Sequence, residues 1–138
     1  MAVELSAAEV YFAAVLQNDP TLASLGVLGY YSEQAPNDSD SPYIIWSMIG
    51  ASDVMGENGV RINMTAIYII RVIDRVRNFS SLRATADRID VLLHRSTGVA
   101  LGHTIDMCVR EAPYSFVQNK GDLEWRHLGG RYRVWVSA

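Results

Sequence analysis

The chain reads as an α+β domain: a mostly antiparallel sheet of four to five strands, two helices packed on it, and a long projecting β-hairpin. Three observations carry that reading. Two segments have the apolar spacing of helices, and several others have strand alternation or are short apolar runs rich in β-formers. The order is helix, strand, strand, helix, strand, strand, with turn chemistry between the paired strands. The 138 residues suit one domain, 1–138, with one core.

Ser6-Ala-Ala-Glu9 has the spacing of a capping box, which predicts a helix from about Ala7 to Gln17. Val10, Tyr11, Phe12, Val15 and Leu16 cover most of its circumference. Such a helix needs burial on more than one side, and a neighbouring subunit is one source of it. Asn18-Asp-Pro20 ends the helix, and Thr21 to Leu25 allows a further short turn. Gly26–Tyr31 is a short apolar stretch with the character of a small strand. Ser32–Pro42 is loop by composition; Asp38 and Asp40 lack the glycine and terminal glutamate of a calcium loop.

Tyr43–Ile49 is a β-rich apolar run. Gly50–Val60 (GASDVMGENGV) follows as the hairpin tip. In Arg61–Asp74 the even positions Ile62, Met64, Ala66, Tyr68, Ile70 and Val72 form a core face. The odd face is polar at its ends (Arg61, Asn63, Arg71) and apolar in the middle (Ile67, Ile69), so something should cover that middle. Asn78–Ser81 opens a second helix with the stripe Leu82, Ala86, Ile89, Leu93; Arg83–Asp87 and Asp90–His94 are spaced for ion pairs. His103–Glu111 alternates with Ile105, Met107 and Val109 inward and Cys108 opposite. Gln118–Asp122 is a turn. Leu123–Val136 is the last strand, where Gly129-Gly130 predicts a bulge or bend; beyond it Tyr132, Val134 and Val136 face one way and Arg131, Arg133 and Trp135 the other.

Composition is that of an ordinary soluble domain, 49% hydrophobic and 20% charged. A formal charge of −3 gives no electrostatic reason to grip nucleic acid. The single cysteine excludes an intrachain disulfide and a zinc site built on several thiolates. No apolar run has the length of a membrane span. The start has no secretory signal, so intracellular synthesis is expected and the N-x-S/T triplets at Asn37, Asn63 and Asn78 are read as chance.

No nucleophile elbow, phosphate loop, dinucleotide fingerprint or metalloprotease motif occurs, and no cofactor or metal is expected. His94, His103 and His127 fall in different elements. Cys108 reads as a structural thiol. Arg71, Arg75 and Arg77, with Asp74 among them, read as charge pairing within the domain or across an interface. The glycine-rich tip precedes a strand, so it is no helix-start phosphate cradle. Asp53 and Glu57 alone are too few carboxylates for a metal. As a projecting tip it is a recognition element.

The ordered pattern resembles the tail-terminator or tail-completion (tail-to-head joining) proteins of long-tailed phages. The resemblance rests on the N-terminal A-A-V-L-Q-N-D-P-T-L, the loop ending S-P-Y-I-I-W, and the strand I-N-M-T-A-I-Y-I-I-R-V. The helix A-T-A-D-R-I-D-V-L-L-H and the closing R-H-L-G-G-R-Y-R-V-W-V complete it. It implies a non-enzymatic ring, usually a hexamer, on the head-proximal end of the tail tube. Such a ring ends tube growth, docks the head connector and passes DNA. Its partners would be other copies of the chain, the tail-tube protein and the head-closure or connector protein. Its place would be the virion, after assembly in the host cytoplasm. Rings need different patches on the two sides of a subunit. The candidate contacts are Tyr11, Asp53, Met55, Glu57, Asn58, Arg61, Ile67, Ile69, Arg71, Arg75, Arg77, Arg131, Arg133 and Trp135. The alternatives are another neck protein (head-closure or connector adaptor) and, more remotely, a small hydrolase with a site assembled across strands.

Overall fold

Strand β3 (Arg61–Asp74) is the spine of the molecule, because both faces of its sequence are largely apolar and both its edges are paired. In the computed structural model, which describes residues 2–137, it lies third in a six-stranded sheet. The strands are β1 (Gly29–Ser32), β2 (Tyr43–Met55), β3, β4 (Ser96–Ala100), β5 (His103–Lys120) and β6 (Leu123–Ser137), in the order β1-β2-β3-β6-β5-β4. Helices α1 (Ala2–Gln17) and α2 (Pro20–Ser24) precede the sheet, and α3 (Arg83–Leu93) links β3 to β4. The α+β class and the antiparallel majority are as expected. The sheet is larger, however, and mixed, because β1 pairs with β2 in parallel.

One face of the sheet carries the core. Ile44 and Trp46 of β2, Met64 to Val72 at even positions of β3, Ile105 and Cys108 of β5, and Tyr132, Val134 and Val136 of β6 are buried against α1 and α3. Phe12 of α1 sits edge-on to Tyr68, ring centroids 4.9 Å apart, and within 6.5 Å of Trp46. The predicted core face ends at Met64, since Ile62 is exposed near the hairpin tip.

The helix α1 begins at Ala2, so Ser6 lies inside it and the capping box is not its start. Much of its wide apolar surface is covered by its own chain, although Val10 stays exposed. Tyr11 is 6% exposed, and its hydroxyl donates to Ser96 Oγ at 2.6 Å. Asp19 caps α2 by accepting from the Leu22 amide at 2.9 Å. Its carboxylate also takes both Nε and Nη2 of Arg88, which pins the α1–α2 corner to α3. That guanidinium holds the Asp19 carboxyl below its ordinary pKa.

Of the expected stripe, Leu82 just before α3 and Ile89 and Leu93 within it are buried, and Ala86 is half-buried. The i, i+4 ion pairs are not used. Asp90 instead accepts from the Tyr132 hydroxyl at 3.2 Å, and His94 Nδ1 accepts from the Arg110 amide at 3.0 Å. Tertiary partners outcompete weak surface pairs.

Bulges set which side chains face inward. A register shift at Asp106 turns Cys108 onto the core and Met107 and Val109 to the opposite face, the reverse of simple alternation. A second shift, at Glu111, lies across from Arg131 and Tyr132, just beyond the glycine pair. Gly129 and Gly130 themselves stay in an unbroken β6 ladder, contrary to the expected bulge. Their role is close approach: a Cβ on Gly129 would stand 2.0 Å from the Ile70 carbonyl oxygen. Gly129→Ala should therefore cost about 2–3 kcal/mol or more in urea unfolding, as overpacking against backbone does. Gly50→Ala, whose Cβ meets nothing within 4 Å, should change stability by less than about 0.5 kcal/mol.

Candidate functional site

The hairpin tip is smaller than the sequence implied. Gly50 to Met55 continue β2 as paired strand, and only Gly56–Val60 form the turn, with Asn58 and Gly59 at positive φ. The hairpin nevertheless projects. Met48, Ile49, Val54, Met55, Val60 and Ile62 are all exposed, as are Glu57 and Asn58. Arg61, paired with Met55 beside the turn, meets the buried Glu4 of α1 at 2.8 Å and Asp53 at 3.7 Å. Asp53 and Arg61 thus brace the hairpin against α1. Met55, Glu57 and Asn58 are what the tip presents outward.

Opposite the helices, the sheet carries six rows that run across β2, β3, β6 and β5. Two of them place Ser47, Ile69, Arg131 and Ala112 side by side, and next to them Gly50, Ile67, Arg133 and Val109. Trp135 lies in the adjoining row with Thr65 and Met107. Ile67, Ile69 and Trp135 are half-buried by these neighbours, which supply part of the cover that the apolar middle required. Arg133 is held by Glu111, Nε to Oε1 at 2.5 Å, and Arg131 is exposed. Tyr11 belongs to the core and is absent from this surface.

The arginine cluster is split by the end of β3. Arg71 is half-buried on the helix-free face, where it donates to His127 Nδ1 at 3.2 Å and Ser47 Oγ at 3.1 Å and lies over the Tyr114 ring. Arg75 and Arg77 are exposed beyond the strand. Beside Arg71, a groove of about 380 Å³ runs along His127, Tyr43, Gln118, Lys120 and the Glu33–Ser39 loop. Burial, with the charges of Arg71 and Lys120, pushes the His127 imidazole down to about 4. Cys108 is wholly buried, and burial next to Asp90 pushes its thiol up to about 12. Among the described residues no three His, Cys, Asp or Glu cluster as metal ligands, and no helix is long and apolar enough to cross a membrane.

A second projection escaped the sequence reading. β5 runs to Lys120, and Gly121-Asp122 turn it into β6, with Gly121 at positive φ. Phe116, Val117 and Leu123 are exposed on this hairpin. Pro113 masks the strand pattern between Glu111 and Gln118, although a proline is compatible with an edge position. The alternating Tyr114, Phe116 and Gln118 were the available signal. Rows place the two tips at opposite ends of the sheet: the β2–β3 tip lies beyond Asn63 and Ser137, the β5–β6 tip beyond Asp74 and Arg126.

No protein-family model matches the chain, and comparison with curated proteins also finds no match. Solved structures do share its fold. A chain in the virion of a native gene transfer agent particle superposes with a TM-score of 0.71 at 19% identity, over 92% of this chain and 92% of that one. A second solved structure superposes with a TM-score of 0.61 at 12% identity, over 97% of this chain and 96% of that one.

The buried His127 makes stability depend on pH. Its folded pKa lies below the unfolded value of about 6.5, so the unfolded chain binds the proton more readily. Its contribution is complete above about pH 6.5 and is lost as pH falls toward about 4. His127→Gln should flatten the stability–pH curve across that window relative to the parent chain, as read by urea midpoints.

Proposed function

We propose that this chain is a non-enzymatic structural protein of a phage-like virion, and that it forms a ring, a hexamer by resemblance, at the head-proximal end of the tail tube. There it ends tube polymerisation and presents a docking surface to the head connector, and DNA passes through the ring. The observation that carries this reading is the end-to-end likeness in fold to a chain of a gene transfer agent virion. Nearly the whole of both chains superposes, which is more than a shared core alone.

The surface supports a stacked ring. Exposed apolar side chains gather on two hairpins at opposite ends of the sheet, and a subunit held between two different partners needs two such ends. Three of the residues with a chemical character are used internally. Cys108 is core, His127 braces Arg71, and His94 holds a backbone amide. Another neck protein is the nearest alternative, and imaging separates the two by position along the axis.

Tails assembled without this protein should run past their normal length and fail to join heads, and added protein should restore both in electron micrographs. Light scattering should report a multimer, either free or on tail tubes. A strict monomer in both conditions would sink the ring. Met55→Asp with Val60→Asp should leave stability within about 0.5 kcal/mol, since both side chains are exposed, yet impair joining or termination.

A further inference from the structure

The sheet ends in two open edges that complement each other. β1 covers only Tyr43–Trp46 of β2, so Ser47–Met55 have no strand on the side away from β3. β4 covers β5 only as far as Cys108, so Val109–Lys120 are likewise unpaired on that side. Each open stretch begins with a single amide capped by a side chain. Glu33 Oε1 accepts from the Met48 amide at 2.9 Å, and His94 Nδ1 accepts from the Arg110 amide. Both stretches carry exposed apolar residues: Ile49, Val54 and Met55 on β2, Phe116 and Val117 on β5. A long, apolar, unpaired edge is a template for another strand.

We infer that β2 of one copy pairs antiparallel with β5 of the next, and that this backbone ladder closes the proposed ring. The inference rests on the ring reading above. Three features point to a second copy as the occupant. First, direction: β2, β3, β6 and β5 alternate, so rotating one copy onto the next sets β2 beside an oppositely directed β5. Second, space: grooves of about 260 and 220 Å³ lie between α3 and the β5 edge, lined by Asp87, Asp90, His94, Arg110 and Pro113. Pro113 withholds one donor there without closing the edge.

Third, stagger. The midpoints of the open stretches are Ala51, in the row of Ala66, and Ser115, in the row of Val72. Six residues along the strand amount to about 20 Å. The four strands that one copy contributes span about 19 Å. Levelling successive copies therefore tilts the strands by about 45°, at the upper end of the roughly 35–45° found in closed barrels. Ala51 and Ser115 also lie on the same, helix-bearing side of the sheet, as paired residues must.

The test uses the full chain, assembled free or on tail tubes. Ala51→Cys is combined with Ser115→Cys or, to allow a two-residue register difference, with Val117→Cys; all three positions are exposed, and Cys108 is buried. Mild oxidation should give a reducible ladder of covalent oligomers up to the ring number with one double variant. Mixed single variants should stop at dimers. Amides of Ile49–Met55 and Tyr114–Asn119 should slow in hydrogen exchange on assembly. A multimer by mass that gives no ladder with either pair and no slowed amides overturns the edge pairing and leaves the ring standing. A chain that never assembles overturns both.

Discussion

Burial of one face of the sheet under α1 and α3 is the constraint on which the other features depend. Phe12 against Tyr68, with Trp46 beside them, marks its centre. Side chains of β2, β3, β5 and β6 enter that core from one side only. Each strand must therefore keep its apolar set in phase with its neighbours, since a one-residue slip would carry the set out of the core. The bulges at Asp106 and Glu111 are where β5 satisfies that requirement. They bring Cys108 inward and leave Arg110 free to reach His94.

The same constraint produces the surfaces. Helices occupy one face, so the other is left with Ile67, Ile69 and Trp135 among Arg71, Arg131 and Arg133. The charges there are largely held in place: Arg71 by His127 and Ser47, Arg133 by Glu111. β1 and β4 are too short to cover the long strands beside them, and the hairpins run beyond the core at both ends. Surface that a monomer would ordinarily blunt is thus left apolar and unpaired.

Much of this was legible in the amino-acid order. The stripe Leu82–Leu93, the alternation of Arg61–Asp74 and the turn residues around Gly59 and Gly121 carry their own periodicity and backbone preference. Legibility stopped where a residue's place depends on another strand. Gly129-Gly130 looked like a local bend, yet the need for glycine comes from the Ile70 backbone across the ladder. Tyr11 looked available for a neighbour, yet Ser96, far along the chain, takes its hydroxyl. Of the candidate contacts, Arg61 is ion-paired with Glu4 and Asp53, while Met55, Glu57 and Asn58 lie at the exposed tip.

By itself the sequence determined that this is a mildly acidic α+β chain with two helical stripes, a central two-faced strand and a projecting hairpin, because these follow from local period, turn chemistry and composition. Only the tertiary structure decided which residues face the core, how far GASDVMGENGV is strand rather than loop, and where the sheet leaves its edges open. The reason is physical. A bulge, a parallel neighbour or an uncovered edge is a relation between segments distant in sequence, and its energy exists only once they are packed together.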